Sequence, residues 1–504
     1  MNVLLFTDVN GWYGVARYAG TYRLASELRK HGYSCQVVDF FTHFSFEQLR
    51  KVVDKYVSNE TLLVGFSTSM LTSIVDSKID DDDFNKRGGH FYDCELFPQK
   101  HEEMIDFFQY IKGRAPEAKI VVGGNKVNFS QGLASVDYWV TGQADLSLVK
   151  VCDFLSGKIH TINHSRTTNG SVLIQSNQDY PFDDFHRSTI TYSENDFIMH
   201  GEALPIEISR GCAFNCSFCT FQKKGSRWDY LKEIDVLRDE LISNYEKFNI
   251  TKYTFCDDTY NDSLEKVQNL HDLFISLPFK IEWTVYARLD LIEKYPQMRD
   301  LMLDSGCRSA YFGIETLHEK AASNIHKRNS IFAKKTIDFL NKTWRGRCFT
   351  SGSFIVGLPY EDIQSLNNTK SWVENDLPFD SWFWNALMIK KNTHLLKDGM
   401  DDARMANDPY KYGFNTVEGD FEGWNHQHMS KQLSEKIQQE YSGTETYKNH
   451  NHLWITHHWL AMMWNLGYST EECKDMNLIN IRHLDTNSIK SRLISNYYEK
   501  LMEY

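Results

Sequence analysis

Three of the ten cysteines stand together, in Arg210-Gly-Cys212-Ala-Phe-Asn-Cys216-Ser-Phe-Cys219. Three thiols within eight residues can wrap one small inorganic cluster. A cubane of four irons normally takes four thiolates, so three leave one iron open to a substrate or cofactor ligand. Zinc is the competing reading, but structural zinc wants four ligands with cysteines in closely spaced pairs. No second pair exists, because Cys256, Cys307, Cys348 and Cys473 are isolated along the chain. A chance clustering of buried cysteines is the remaining alternative.

The elements that must position these thiols follow from hydrophobic patterning. The triplet directly follows the apolar run Ile206–Ser209. Further runs at Tyr253–Cys256, Ile281–Ala287, Ser309–Gly313, Phe349–Val356 and Trp382–Ile389 alternate with helical stretches, such as Leu231, Ile234, Leu237, Leu241 and Tyr245. Six such units predict a partial (β/α)6 barrel over 204–394, with its chemistry at the strand C-terminal ends. An earlier series, Val3–Thr7, Gln36–Phe40, Leu62–Ser67, Ile120–Val122 and Tyr138–Thr141, predicts a doubly wound parallel sheet over 1–145. Such sheets bind ligands at the carboxyl ends of their strands. The polar stretch Thr72–Leu96, with Asp80–Asp83, reads as a solvated loop. Residues 146–203, rich in Asn, Ser, Thr and Asp, read as a linker. Residues 395–504 read as a mainly helical C-terminal region, with Ile489, Leu493, Tyr497 and Leu501 on one stripe of the last helix.

The bulk numbers set limits. Of 504 residues 41% are hydrophobic and 24% charged, as in an ordinary globular protein of two or three domains. A net charge of −12 without a Lys/Arg-rich run argues against a sequence-independent grip on nucleic acid. No apolar run reaches the roughly 18–20 residues that span a bilayer. Scattered cysteines without a secretory signal point to a reducing cytoplasm.

The C-x3-C-x2-C spacing, with aromatic Phe218 before the last cysteine, resembles the cluster loop of radical S-adenosylmethionine (SAM) enzymes. The resemblance implies a [4Fe-4S] cluster on Cys212, Cys216 and Cys219, whose open iron chelates the methionine moiety of SAM to release a 5′-deoxyadenosyl radical. Further strings fall in the family's order. Cys256-Asp257-Asp258-Thr259 stands where polar groups meet the methionine ammonium, although the family's Gly-Gly-Glu is absent. Gly313-Ile314-Glu315-Thr316 resembles the ribose-binding stretch. Ser353-Phe-Ile355-Val-Gly357-Leu-Pro-Tyr-Glu361 resembles the adenine-binding G-x-I-x-G-x-x-E, with Ser353 in place of the first glycine and Glu361 one residue late. Arg288 could reach the cofactor carboxylate or pair with Asp290. Lys327 and Arg328 read as surface charges.

A doubly wound domain ahead of such a barrel resembles the cobalamin-binding subclass of these enzymes. The carried-over positions are Asn10, Ser67, Ser69, Leu71, Gly123, Gly124 and Gly142. The family's Asp-x-His-x-x-Gly motif is missing: Asn10 stands in the histidine's place and Tyr13 in that of the final glycine. The resemblance therefore implies cobalamin held without histidine, methyl transfer to an unactivated carbon or phosphorus centre, a small-molecule or peptide substrate, and a reductant such as flavodoxin or ferredoxin. Four alternatives stay open: a radical rearrangement or cyclisation without methyl transfer, methylthio transfer to tRNA, a non-catalytic cobalamin sensor, and a first domain that has lost the corrinoid and serves only as a scaffold. The tail is expected to cap the barrel mouth. His450, His452, His457 and His458 read as a polar helix face rather than a metal site, and Trp454, Trp459, Met462, Met463 and Trp464 as core.

Overall fold

The computed structural model describes residues 1–8, 16–67, 101–124, 135–167, 169–182, 184–219, 230–327, 330–389, 403–418, 423–450, 456–476 and 486–503. The chain forms two compact units, residues 1–200 with 485–504, and residues 201–393 with 401–484.

In the first unit the strands β1 (Val3–Phe6), β2 (Cys35–Val38), β3 (Leu63–Ser67), β4 (Lys119–Gly123) and β5 (Tyr138–Thr141) lie in the order β2-β1-β3-β4-β5, all parallel. Val3 to Phe6 are all buried, as expected for a strand covered on both faces. Phe6 stacks on Phe66 at 5.2 Å and meets Phe107, from the helix His101–Arg114, edge-on at 5.7 Å. The helix Phe46–Tyr56 starts at a reciprocal capping box between Ser45 and Gln48.

The expected linker is largely part of this unit. Residues Asp145–Leu155 form a helix, and β7 (Val172–Gln175) extends the sheet as a parallel neighbour of β5, with β6 (Ser165–Arg166) antiparallel beyond it. The reason is local: Val172, Leu173 and Ile174 are too few apolar residues to stand out among Asn, Ser and Thr, yet Leu173 and Ile174 are buried. Arg29 then clamps Asp196 through two hydrogen bonds of 2.7 and 2.8 Å. The last helix, Thr486–Glu503, belongs to the same unit and buries Ile494, Tyr497 and Leu501.

The second unit is built on six parallel strands in sequential order: β8 (Ala203–Ile206), β9 (Lys252–Phe255), β10 (Glu282–Ala287), β11 (Cys307–Glu315), β12 (Phe349–Val356) and β13 (Ser381–Ala386). One face carries Phe255, Trp283 and Phe312, against Phe274 of the helix Leu264–Ser276 and Trp344 of the helix Ser330–Trp344. The alternate residues Lys252, Tyr286 and Phe349 meet a tail helix, Thr456–Asn465, which packs against β8 to β12. The tail thus fills the inner face of the open barrel. It also contributes an antiparallel sheet of β14 (Phe414–Glu418), β15 (Gly423–His426) and β16 (Met429–Ser430), absent from the helical expectation.

Candidate functional site

The cysteine loop leaves the carboxyl end of β8 through a closed neck. Arg210 N–H donates to the Tyr230 carbonyl at 2.9 Å, Lys232 N–H donates to Ile208, and Ser209 bridges Leu231. Within the loop Cys219 N–H donates to the Cys216 carbonyl at 3.1 Å, a turn that draws two of the thiols together. The buried Ser217 fastens this turn from below: its hydroxyl donates to the Asn324 carbonyl at 3.1 Å and its carbonyl accepts from Met405 N–H at 2.9 Å. All described cysteines are free of disulfides; Cys212, Cys216 and Cys219 are partly exposed, whereas Cys35, Cys152, Cys307, Cys348 and Cys473 are buried. Among the described residues no three Cys, His, Asp or Glu side chains already surround one point. Three accessible thiols on one pinned loop nevertheless have the chemistry of an iron–sulfur donor set, one short of the four thiolates a cubane normally takes. Phe218 is half-buried beside them.

The neighbouring strand ends present their polar groups to this loop. Cys212 Sγ lies 3.3 Å from the Thr259 hydroxyl, and Cys216 Sγ 3.2 Å from Arg288 Nη1. Asp257 departs from its expected part. It is 1% exposed and holds the neck, accepting from the Ser209 hydroxyl and from Ile208 N–H at 3.2 Å, with Lys266 3.7 Å away. Its oxygens are committed inside the protein, whereas Asp258 is half-buried. Burial first, and the neighbouring Asp257 second, push the Asp258 carboxyl up to about 6. Arg288 forms the Asp290 pair, at 2.7 Å.

Further round the sheet, a register shift between Gly313 and Glu315 in the β11–β12 pairing turns Glu315, whose φ is +69°. Its carboxylate accepts from the Ser353 hydroxyl at 3.3 Å and lies 3.5 Å from Lys327 Nζ. Lys327, expected on the surface, is half-buried with its side chain 9% exposed, and its ammonium also donates to the Gly313 carbonyl at 2.9 Å; Arg328 lies outside the described residues. Thr316 donates to Glu361 at 2.5 Å, and burial pushes that carboxyl up to about 8. Ile355 is buried on β12. At Gly357 (φ +104°) a Cβ would stand 2.6 Å from Trp424 and 2.7 Å from the Ser434 hydroxyl, so the glycine lets the tail seat directly on the strand end.

Sequence reasoning missed the inner face. Tyr286 and Tyr311 are register partners with rings edge-to-face at 5.3 Å, and Tyr286 Oη is 2.9 Å from His458 Nε2. Burial lowers His458 to about 3, so its ring is neutral. Trp459, Met463 and Trp464 are buried core as expected; His452 and Trp454, and the side chains of His450 and His457, lie outside the described residues.

In the first unit, Ser67 and Gly123 are register partners at the carboxyl ends of β3 and β4. Gly124 (φ +128°) and Gly142 (φ +79°) turn the chain after β4 and β5. These four positions share one edge of the sheet, beside the crevice where strand order reverses between β1 and β3. Asn10, Ser69 and Leu71 lie outside the described residues.

Residues 206–373 match the radical SAM superfamily model, a stretch that begins just before the cysteine loop and ends beyond Glu361. An uncharacterized methyltransferase of Pyrococcus horikoshii is 26% identical over 50% of this chain and 56% of its own length. A bacteriochlorophyllide d C-12(1)-methyltransferase of Chlorobaculum tepidum is 22% identical over 36% of this chain and 39% of its own. The chain thus spans about half the length of the curated relatives it matches. The structure of the radical S-adenosylmethionine methyltransferase TsrM from Kitasatospora setae, with cobalamin and a [4Fe-4S] cluster bound, superposes with a TM-score of 0.56 at 15% identity, covering 100% of both chains. At that identity the likeness is one of fold.

Proposed function

From a chain that carries a radical SAM domain over residues 206–373, we propose a cobalamin-dependent radical SAM methyltransferase acting on an unactivated centre of a small molecule or peptide. The observation that supports this most directly is the pinned loop of three accessible thiols at the carboxyl end of the first barrel strand. When bound, the cluster with SAM supplies a 5′-deoxyadenosyl radical and cobalamin supplies the methyl group. The chain's own part is to bind and orient. Cys212, Cys216 and Cys219 would hold the cluster. Asp258 would accept from the methionine ammonium, a charge-assisted bond. Glu315, turned by its backbone and steadied by Lys327 and Ser353, would accept from the ribose hydroxyls. Ser67, Gly123, Gly124 and Gly142 would let a flat macrocycle approach the sheet edge. Electrons would come from a flavodoxin or ferredoxin, and the setting would be the cytoplasm; no described helix is long and apolar enough to cross a membrane.

The test is anaerobic reconstitution with iron, sulfide and hydroxocobalamin, then metal and visible-spectrum analysis of the desalted protein. About four irons per chain, as one cubane requires, with a retained corrinoid spectrum, is the expected result. Triple replacement of the cysteines by alanine should abolish the iron and leave the corrinoid. A cluster without corrinoid sinks the cobalamin half of the reading. A product of unchanged mass, once a substrate is found, sinks methyl transfer in favour of rearrangement.

A further inference from the structure

We propose that Arg288 sets the reduction potential of the cluster through a charge-assisted N–H···S bond to Cys216, an inference that rests on the cluster reading above. The guanidinium is held on every side. Nε and Nη2 donate to the two Asp290 oxygens at 3.0 and 2.7 Å, Cζ lies 4.0 Å from the centre of the Phe214 ring, and Nη1 reaches Cys216 Sγ at 3.2 Å. Its backbone is clamped as well, because Asn261 accepts from Arg288 N–H at 2.8 Å and donates to its carbonyl at 2.9 Å. Phe214 belongs to the cysteine loop itself, so the same side chain touches that loop twice.

The sulfurs are therefore not equivalent. Cys212 meets a neutral hydroxyl, Thr259 at 3.3 Å, whereas Cys216 meets a cation that is only 6% exposed. Hydrogen bonds to cluster sulfurs and burial are the levers by which a protein moves a cluster's potential. Reduction adds one electron, taken from a low-potential protein donor, and leaves the cluster one charge more negative. A fixed cation in a poorly screened site favours that form over the oxidised one. Asp290 offsets part of the field while holding the fork in place.

The experiment is an EPR-monitored redox titration of the reconstituted full-length protein without SAM or substrate, with iron and sulfide assayed on each sample. Arg288→Gln should keep its iron and show a lower midpoint, with the reduced fraction at fixed potential falling about tenfold, or 59 mV for one electron. Thr259→Val should move the midpoint less. Asp290→Asn, which removes the offsetting anion, should raise it. A wild-type midpoint in an iron-replete Arg288→Gln protein overturns the proposal and leaves Arg288 a brace for the loop. If that variant loses its cluster, Asp290→Asn decides, and an unshifted midpoint there overturns the proposal equally. Absence of iron from the wild-type protein is a different failure, since it removes the cluster reading itself.

Discussion

Glu361 is a carboxyl kept from water, 1% exposed, with one oxygen taken by Thr316 and the other without a partner among the described residues. Its value of about 8 in the folded protein, against an ordinary 4.5, fixes the sign of its effect on stability. Between those values the unfolded chain releases the proton and the folded chain keeps it. Its contribution is therefore complete below about 4.5 and lost as pH rises toward 8. Each unit of difference is about 1.4 kcal/mol. Glu361→Gln, which keeps the shape and never ionises, should unfold in urea like the wild type at pH 5 and at clearly higher urea at pH 8. Parallel urea midpoints at both values would show that Glu361 is ionised at neutral pH. Residue types were legible here and their partners were not. The pattern Cys-Asp-Asp-Thr marks a strand end, but nothing in it says that Asp257 turns inward to Ser209 while Asp258 stays half-buried. Lys327 likewise reads as a surface charge until the fold places the Gly313 carbonyl within 2.9 Å.

At the scale of elements, eleven of the twelve strands on the two long sheets that run parallel to their neighbours were readable, β8 only through its shared Ile206, because their apolar runs are bounded by glycine or polar punctuation. The exception is β7, four residues long. The destination of the tail helix Thr456–Asn465 was hidden for another reason. Trp459, Leu460, Ala461, Met463 and Trp464 are buried around more than one face, so its periodicity names no partner. Its place against β8 to β12 makes it part of the barrel's core and not a detachable cap. Leu460, with no exposed surface, should cost about 2–5 kcal/mol on replacement by alanine, whereas Lys436→Ala, on a helix whose lysine is 73% exposed, should change stability by less than about 0.5 kcal/mol. Equal urea midpoints for the two variants would mean that the helix leaves the sheet in solution.

Across the whole molecule the chain returns to where it began, since residues 485–504 complete the unit formed by residues 1–200. Tyr497 is the anchor of that return. Its ring meets Phe40 edge-on at 5.1 Å and lies 5.1 Å from the Arg17 guanidinium, and its hydroxyl accepts from Asp39 N–H at 3.0 Å. At the helix end, Lys55 Nζ and Tyr56 Oη donate to the Leu501 carbonyl at 3.0 and 2.7 Å, satisfying an acceptor that a helix C-terminus otherwise leaves open. The last helix therefore acts as a structural member of the first unit, a role its sequence stripe suggested without naming the surface it covers. Loss of a large buried aromatic costs about 3–5 kcal/mol. Ending the chain after residue 485, or replacing Tyr497 by alanine, should lower hydrogen-exchange protection in β2 and in the helix Phe46–Tyr56 by two to three orders of magnitude, about 1.4 kcal/mol each. Iron bound at Cys212, Cys216 and Cys219 should be unchanged, because the partners of that loop lie within residues 201–393 and 401–484. Full protection of residues 35–56 in the shortened chain would show that the first unit closes without its last helix. Loss of iron in the same protein would instead tie the cysteine loop to the first unit.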